Sequence, residues 1–431
     1  MKKWMRRIAA AAIALAAMTA SCDDDAPALV GVAGVTLQPA SLELVEGADS
    51  ALVVAVLPAD ATDKTVEWSS SDSAVVAVAN GKVSALKAGG PVTITATARD
   101  GGFAATCAVT VVLPPGLKVS TLAGSGMPGH VDAAGTAARF ADPQGIVADA
   151  TGKVYVGESA WLRAVSPSGA VTTVAGGGSG GYADGAAPAA RFTDVAGLAL
   201  DAAGNLYAAD YGNYCVRKIS PSGAVTTLAG NGAAGFAEGS GTNARMGAVA
   251  GVALSPSGEI LYATDLTNGC VWKVVIATGM TTVLAGAGEV GLSGPRGICC
   301  DAAGNLYVTE YFGHRVCKIA PSGAISAVAG SGTNGFRDAT GASAMFSYPV
   351  NVVIDASGNL LVADSGNHCI RRITPSGEVS ALAGLPRQKG YLDGPAGSAR
   401  FESISGMTVA PDGIIYVLER SKPRLRRIAF E

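Results

Sequence analysis

The 431-residue chain is poor in the side chains that carry most enzyme chemistry. It has three histidines, and charged residues make up 15% of it, with a formal net charge of −3. So few imidazoles argue against a zinc centre of the usual kind, which gathers several His with Asp, Glu or Cys. The near-balanced charge leaves no basic face for nucleic acid. No HExxH and no phosphate-cradling glycine loop is present, and no cysteines have paired CxxC spacing. Beyond the N-terminus no apolar run reaches the ~20 residues that a spanning helix needs. What the chain has in quantity is glycine, 58 residues. These glycines sit in evenly spaced turns, which points to many short strands. The length predicts two or more domains.

The N-terminus reads as an address. Lys2, Lys3, Arg6 and Arg7 precede an apolar run from Ile8 to Ala20, then Ser21-Cys22 and Asp23-Asp24-Asp25. A basic stretch, an apolar stretch and small residues at a cut site describe an export signal over residues 1–21. The cysteine straight after small residues resembles a bacterial lipoprotein signal, which implies that Cys22 is acylated and holds the protein to a membrane. Thr19 stands where that motif usually has Leu, and a plain secretory signal is the other reading. The acidic run that opens the tether 22–31 resembles the surface-export signal of Bacteroidetes lipoproteins and implies the outer-membrane surface. In enteric bacteria an Asp there favours inner-membrane retention instead. The other cysteines are Cys107, Cys215, Cys270, Cys299, Cys300, Cys317 and Cys369. Their odd number leaves at least one thiol unpaired within the chain. Cys215, Cys270 and Cys369 recur at one repeat position and read as small apolar packing residues.

From 32 to 112, apolar alternation broken by turns predicts a small β-sandwich. VEWSSSDSAVVAVANGKVSALKAGGPVTITA, within it, resembles the bacterial Ig-like group 2 family, which implies a spacer or adhesion module with Trp68 in its core. Residues 113–117, LPPGL, are a stiff linker.

Everything from 118 to 431 is one repeat. First strands open as GIVADA, GLALDA, GVALSP, GICCDA, NVVIDA and GMTVAP, and second strands follow as KVYVGE, NLYAAD, ILYATD, NLYVTE, NLLVAD and IIYVLE. A third and a fourth follow, and four strands per ~50 residues predict a six-bladed β-propeller. The sixth repeat stops at its third strand, and a spare fourth strand, Val119 to Gly124, stands before the first. Pairing the two ends would close the ring and hide its edges. The units GNLYAADYGNYCVRKISPSG and GNLLVADSGNHCIRRITPSG resemble the NHL repeat family, whose propellers are predominantly interaction scaffolds. The fold class expected is all-β.

One loop recurs: GHVDAAGTAARF, GYADGAAPAARF, GFAEGSGTNARM, GFRDATGASAMF and GYLDGPAGSARF. It is the blade-to-blade connection, and its repetition predicts a shared surface on one face, with a notch where the connection 287–296 is short. Asp132, Asp184, Glu238 and Asp393 each precede an arginine by seven, namely Arg139, Arg191, Arg245 and Arg400; in the fifth loop Met345 replaces the arginine that would follow Asp338. This spacing predicts a charge pair within each loop. The acids that end the second strands, Glu158, Asp210, Asp265, Glu310, Asp364 and Glu419, are expected to accept backbone N–H groups and serve each blade. Tyr182, Phe236, Phe336 and Tyr391 share one loop position, with His130 in the first loop; inward packing and a ligand role are both open for them. Tyr211, Tyr214, Tyr311 and Phe312 lie on the strand 2–3 turns of the same face and are unrepeated, which favours a ligand role. His314 and His368 match the NHL turn pattern.

A binding module for a glycan or protein fits these features, with no cofactor, no metal and no catalytic residue assigned, and the chain is expected to act as a monomer. Two other readings stay open: a metal-dependent lyase or lactonase, which six-bladed relatives of NHL proteins include, and a ligand-free envelope protein. The sequence leaves a carboxylate-bound calcium open. Replacing Cys22 with Ala should release soluble protein or stall precursor processing; a processed Cys22→Ala chain that fractionates with membranes would contradict the lipoprotein reading.

Overall fold

The computed structural model describes residues 29–45, 47–86, 89–112, 116–288 and 291–430. The export stretch, Cys22 and linker residues 113–115 lie outside the described residues. The chain divides into two compact units, Met1–Pro114 and Pro115–Glu431.

In the first unit, alternating apolar residues build small stacked sheets. Ser41–Val45 runs parallel to Ala104–Val112, which pairs with Gly89–Ala98 and then Val66–Ser70. Gly34–Gln38 pairs with Val53–Leu57, and Asp49–Ala51, Lys82–Ala85 and Val76–Ala79 form a third sheet. Val76, Val83, Ile94, Ala96, Cys107 and Val109 are fully buried among them. Trp68, expected in the core, is only half-buried and packs on its margin, with its ring against Gly81. The reason is its place on Val66–Ser70, the end strand of its sheet.

The second unit contains six antiparallel meanders, here called blades 1 to 6. Blade 1 is Gly145–Ala148, Val154–Gly157, Trp161–Val165 and Val171–Gly176; blade 2 is Val195–Leu200, Leu206–Asp210, Cys215–Ile219 and Val225–Ala229. Blade 3 is Val249–Leu254, Ile260–Asp265, Cys270–Val275 and Met280–Gly286; blade 4 is Pro295–Cys300, Leu306–Glu310, Arg315–Ile319 and Ile325–Ala329. Blade 5 is Pro349–Ile354, Leu360–Asp364, Cys369–Ile373 and Val379–Ala383. Blade 6 joins Ile404–Val409, Ile415–Glu419 and Arg424–Phe430 to Leu117–Ala123 from the start of the unit.

Both faces of each meander are covered by neighbours, so second strands such as Leu206–Asp210 are buried along their whole length instead of alternating. Leu162 and Ala175 of blade 1 pack with Val195, Leu198 and Leu206 of blade 2. A cluster of the same kind joins Leu418, Leu425 and Ala123 of blade 6 to Ile146, Val154 and Val156 of blade 1. First strands lie side by side in chain order, and the sixth lies beside the first.

Deleting residues 117–123 strips blade 6 of its outer strand and opens an edge. The melting temperature should fall much further than on deleting residues 1–112, with aggregation. Equal melting temperatures would contradict the pairing of the two ends.

Candidate functional site

The repeated acids converge on a group that the loop spacing does not reveal, a buried arginine on the third strand. Arg163, Arg217, Arg371 and Arg426 are all fully buried. Arg217 donates from Nη1 to Asp210 at 2.8 Å and from Nη2 to Asp184 at 2.6 Å. Arg371 bridges Asp364 (3.0 Å) and Asp338 (2.5 Å) in the same way, and Arg426 bridges Glu419 (3.0 Å) and Asp393 (2.5 Å). Arg163 does so with Glu158 and Asp132. Each guanidinium therefore ties the end of its blade's second strand to the loop that enters the blade. Burial pushes the Asp210 and Glu419 carboxyls above the usual range, against the pull of these arginines.

The expected pairs within each loop, Asp132 with Arg139 and its equivalents, do not form. The loop arginine contributes its backbone carbonyl instead: Arg139, Arg191 and Arg400 accept from the buried arginine's Nη1 at 3.2, 2.9 and 3.2 Å. Met345 accepts the same bond at 3.1 Å, so losing the loop arginine there costs nothing in this contact. Arg191 turns its side chain back onto the carbonyls of Pro188, Ala189 and Ala190.

The second-strand acids do accept backbone N–H groups, from the incoming connection in all six blades. Ala141, Thr193, Gly247, Ser293, Ser347 and Glu402 are the donors, at 2.6–3.0 Å.

The loops do not stand as a free ring. Each adds to the outer strand of the blade it enters, as Gly239–Ser240 does along Met280–Gly286 and Gly394–Pro395 along Leu117–Ala123. Gly135 receives the N–H of Gly124 at the end of blade 6 and donates to Gly169 in the blade 1 strand 3–4 turn. Its φ of +56°, repeated at Gly241 and Gly341, is the reason for glycine there.

The loop aromatics follow their arginines and stay apart. Tyr182 lies over Arg217 and bonds Thr227 (2.9 Å); Phe336 lies over Arg371; Tyr391 lies over Arg426 and bonds Thr121 (3.0 Å). His130 bonds Thr173 and stacks on Trp161. In blade 3 Trp272 replaces the arginine, donating to Asp265 at 2.9 Å and packing against Phe236. In blade 4, whose loop is short, Cys317 takes the place and donates to Glu310. The described cysteines form no disulfides, and Cys215, Cys270 and Cys369 are buried packing residues.

Two features lie inside this belt. All six first strands line one cavity of about 110 Å3. Beside it, at the strand 2–3 turns, opens a cup of about 200 Å3 with Gln144, Asp194, Tyr211, Leu266, Arg296 and Arg420 in its walls. Arg420 forks onto both oxygens of Asp142. Burial, then the Asp142 charge, raises the Asp194 carboxyl above its usual range. Arg296 lies over the ring of Tyr311. Tyr311 in turn begins an aromatic group: Phe312 and Tyr348 each lie 5.0 Å from it, and His314 packs edge-on to Tyr348. Phe312 is 56% exposed.

Tyr211 is thus brought to the cup, while Tyr311 lies against its wall residue Arg296, with Phe312 beside Tyr311. Tyr214 is a left-handed turn residue in the position of His314 and His368, and it lines neither cavity. Arg296, Arg420 and Tyr348 were missed; their signal is that each breaks the repeat at its position. A further cavity of about 590 Å3 is an apolar groove between blades 5 and 6, where Asp355 is already engaged by Asn359. Among the described residues no cluster of three His, Cys, Asp or Glu could hold a metal, and no helix is long and apolar enough to cross a membrane.

Residues 31–109 match the bacterial Ig-like domain (group 2) family. Residues 346–373, which hold the first three strands of blade 5, match the NHL repeat. The protein SUPPRESSOR OF QUENCHING 1 of Arabidopsis thaliana is 27% identical over 285 residues, 60% of this chain and 27% of that protein. An alpha-L-arabinofuranosidase of Bifidobacterium longum is 43% identical over 86 residues, 20% of this chain and 8% of that enzyme. The chain therefore spans under a third of these curated relatives.

Among solved structures, a protein of unknown function from Bacteroides thetaiotaomicron shares 22% identity at a TM-score of 0.64, covering 93% of this chain and 98% of that one. Auxiliary nutrient binding proteins from Bacteroides ovatus and B. thetaiotaomicron, 16% and 18% identical, each give a TM-score of 0.60 over 93% and 92% of this chain and 98% of theirs. At these identities the likeness is one of fold, and it extends over both units of the chain.

Replacing Arg217 with Met should cost about 3–5 kcal/mol, because the buried Asp210 loses its compensating charge. Arg191→Met, which keeps the carbonyl, should cost under ~1 kcal/mol. Denaturant unfolding distinguishes them, and equal losses would contradict the assignment of the clamp to the third strand.

Proposed function

We propose that the protein is a non-enzymatic binding module at the bacterial cell surface, anchored through a lipid on Cys22. The Ig-like domain, residues 32–112, serves as its spacer, and residues 118–431 form a closed six-bladed propeller. A glycan or protein ligand docks at the axial mouth on the strand 2–3 turn side. Closure is supported by the pairing of Leu117–Ala123 with Arg424–Phe430 and by the cluster between blades 6 and 1.

One observation carries the binding reading: the cup draws its walls from blades 1, 2, 3, 4 and 6, so only the assembled unit creates it. Concave sites of this kind, with a few convergent polar groups, are the usual form of a ligand site. A binding role is favoured over a lyase because none of the three histidines lines the cup. The nutrient-binding proteins that share the fold are consistent with a module displayed outside the cell, as is the Ig-like spacer.

Replacing Tyr211, or Tyr311 with Phe312, by Ala should cost roughly 0.5–1.5 kcal/mol of affinity for each lost aromatic contact. The ligand comes from a glycan and protein panel, and calorimetry reads the loss with the fold intact. Substitutions in the SPSG turns should leave affinity unchanged; the opposite pattern would move the site to the other face.

A further inference from the structure

Among the described residues Arg296 is the cation of the cup that has no carboxylate partner. The clamp arginines each hold two acids, and Arg420 holds Asp142. Arg296 donates to Gln144 Oε1 at 3.2 Å and otherwise rests on the Tyr311 ring at 5.4 Å. A guanidinium has five N–H donors in a fixed fork, so most of its hydrogen-bonding capacity is unspent. Burial drags its pKa down from the usual arginine value, which marks a charge that the protein itself does not compensate. An anion entering the cup would relieve that penalty through a charge-assisted, bidentate contact.

The other walls restrict which anion. Asp194 also lines the cup and repels a second negative charge beside it, so the cup suits one negative charge better than two. Asp194 and Gln144 are acceptors suited to hydroxyl groups, while Tyr211 and Leu266 supply an apolar wall on which a ring can lie. A volume of about 200 Å3 is below the ~300–1,000 Å3 of drug-sized sites and admits a single residue or chain end.

Building on the binding-module reading, we propose that the mouth recognises a uronic acid, the carboxylate on Arg296, the ring against Tyr211 and the hydroxyls on Asp194 and Gln144. Glucuronate and galacturonate, each titrated into the full propeller chain by calorimetry and NMR, should bind, with glucose and galactose about tenfold or more weaker. Arg296→Gln should abolish the preference for the acid, and Arg296→Lys should retain part of it, with thermal melts verifying that both fold. Asp194→Asn should retain acid binding while weakening recognition of the neutral sugars. Equal binding of acid and neutral sugar, an unchanged preference in Arg296→Gln, tighter binding of sulfate, or no uronate binding at millimolar concentration would each overturn the proposal. A neutral glycan or peptide whose affinity depends on Tyr211 would overturn it while leaving the binding-module reading intact.

Discussion

The second unit depends on a buried guanidinium bound to two carboxylates, one at the end of a strand and one in a loop. Charge that deep in a protein is costly unless it is fully paired and hydrogen-bonded. Arg217 is paired with Asp210 and Asp184 and bonded to the carbonyls of Ala183 and Arg191, which leaves only its Nε without a partner. Because the geometry is so demanding, it admits one path for the incoming loop. The loop repeats because in four blades it must satisfy the same charge. Blade 3 keeps the long loop without the arginine: Trp272 donates to Asp265, and Glu238 accepts the Val283 N–H. Blade 4 has neither the long loop nor an arginine at that position, and Cys317 and Arg315 both donate to Glu310.

This use of the loops separates structure from display. The long connections strap the outer strands, where open edges would invite pairing with other chains. They leave the axis to short turns, so residues that differ from blade to blade meet there. Where the connection into blade 4 is shortest, Tyr311, Phe312 and Tyr348 come together and Arg296 faces the cup. Equivalent turn positions filled by unequal residues make the cup asymmetric although the strands around it repeat.

Much of the architecture was legible in the chain. The strand sets, the spare strand at 119–124 and the backbone role of the second-strand acids all rest on local spacing, and the described residues bear those three out. The partner of the loop acids was not legible, because Asp132 and Arg163 lie 31 residues apart while Arg139 is only seven away. Proximity in sequence favoured the wrong cation. The third-strand arginine stood in CVRK and CIRR, at a position that Trp272 and Cys317 fill in the third and fourth repeats.

The sequence by itself determined the number of repeats, the order of strands and the positions of the turns, since these follow from hydrophobic alternation and glycine placement within a few residues. Only the tertiary structure decided which charges pair and which aromatics share a surface. Those contacts are made between segments tens of residues apart, or between different blades, where burial rather than spacing selects the partner.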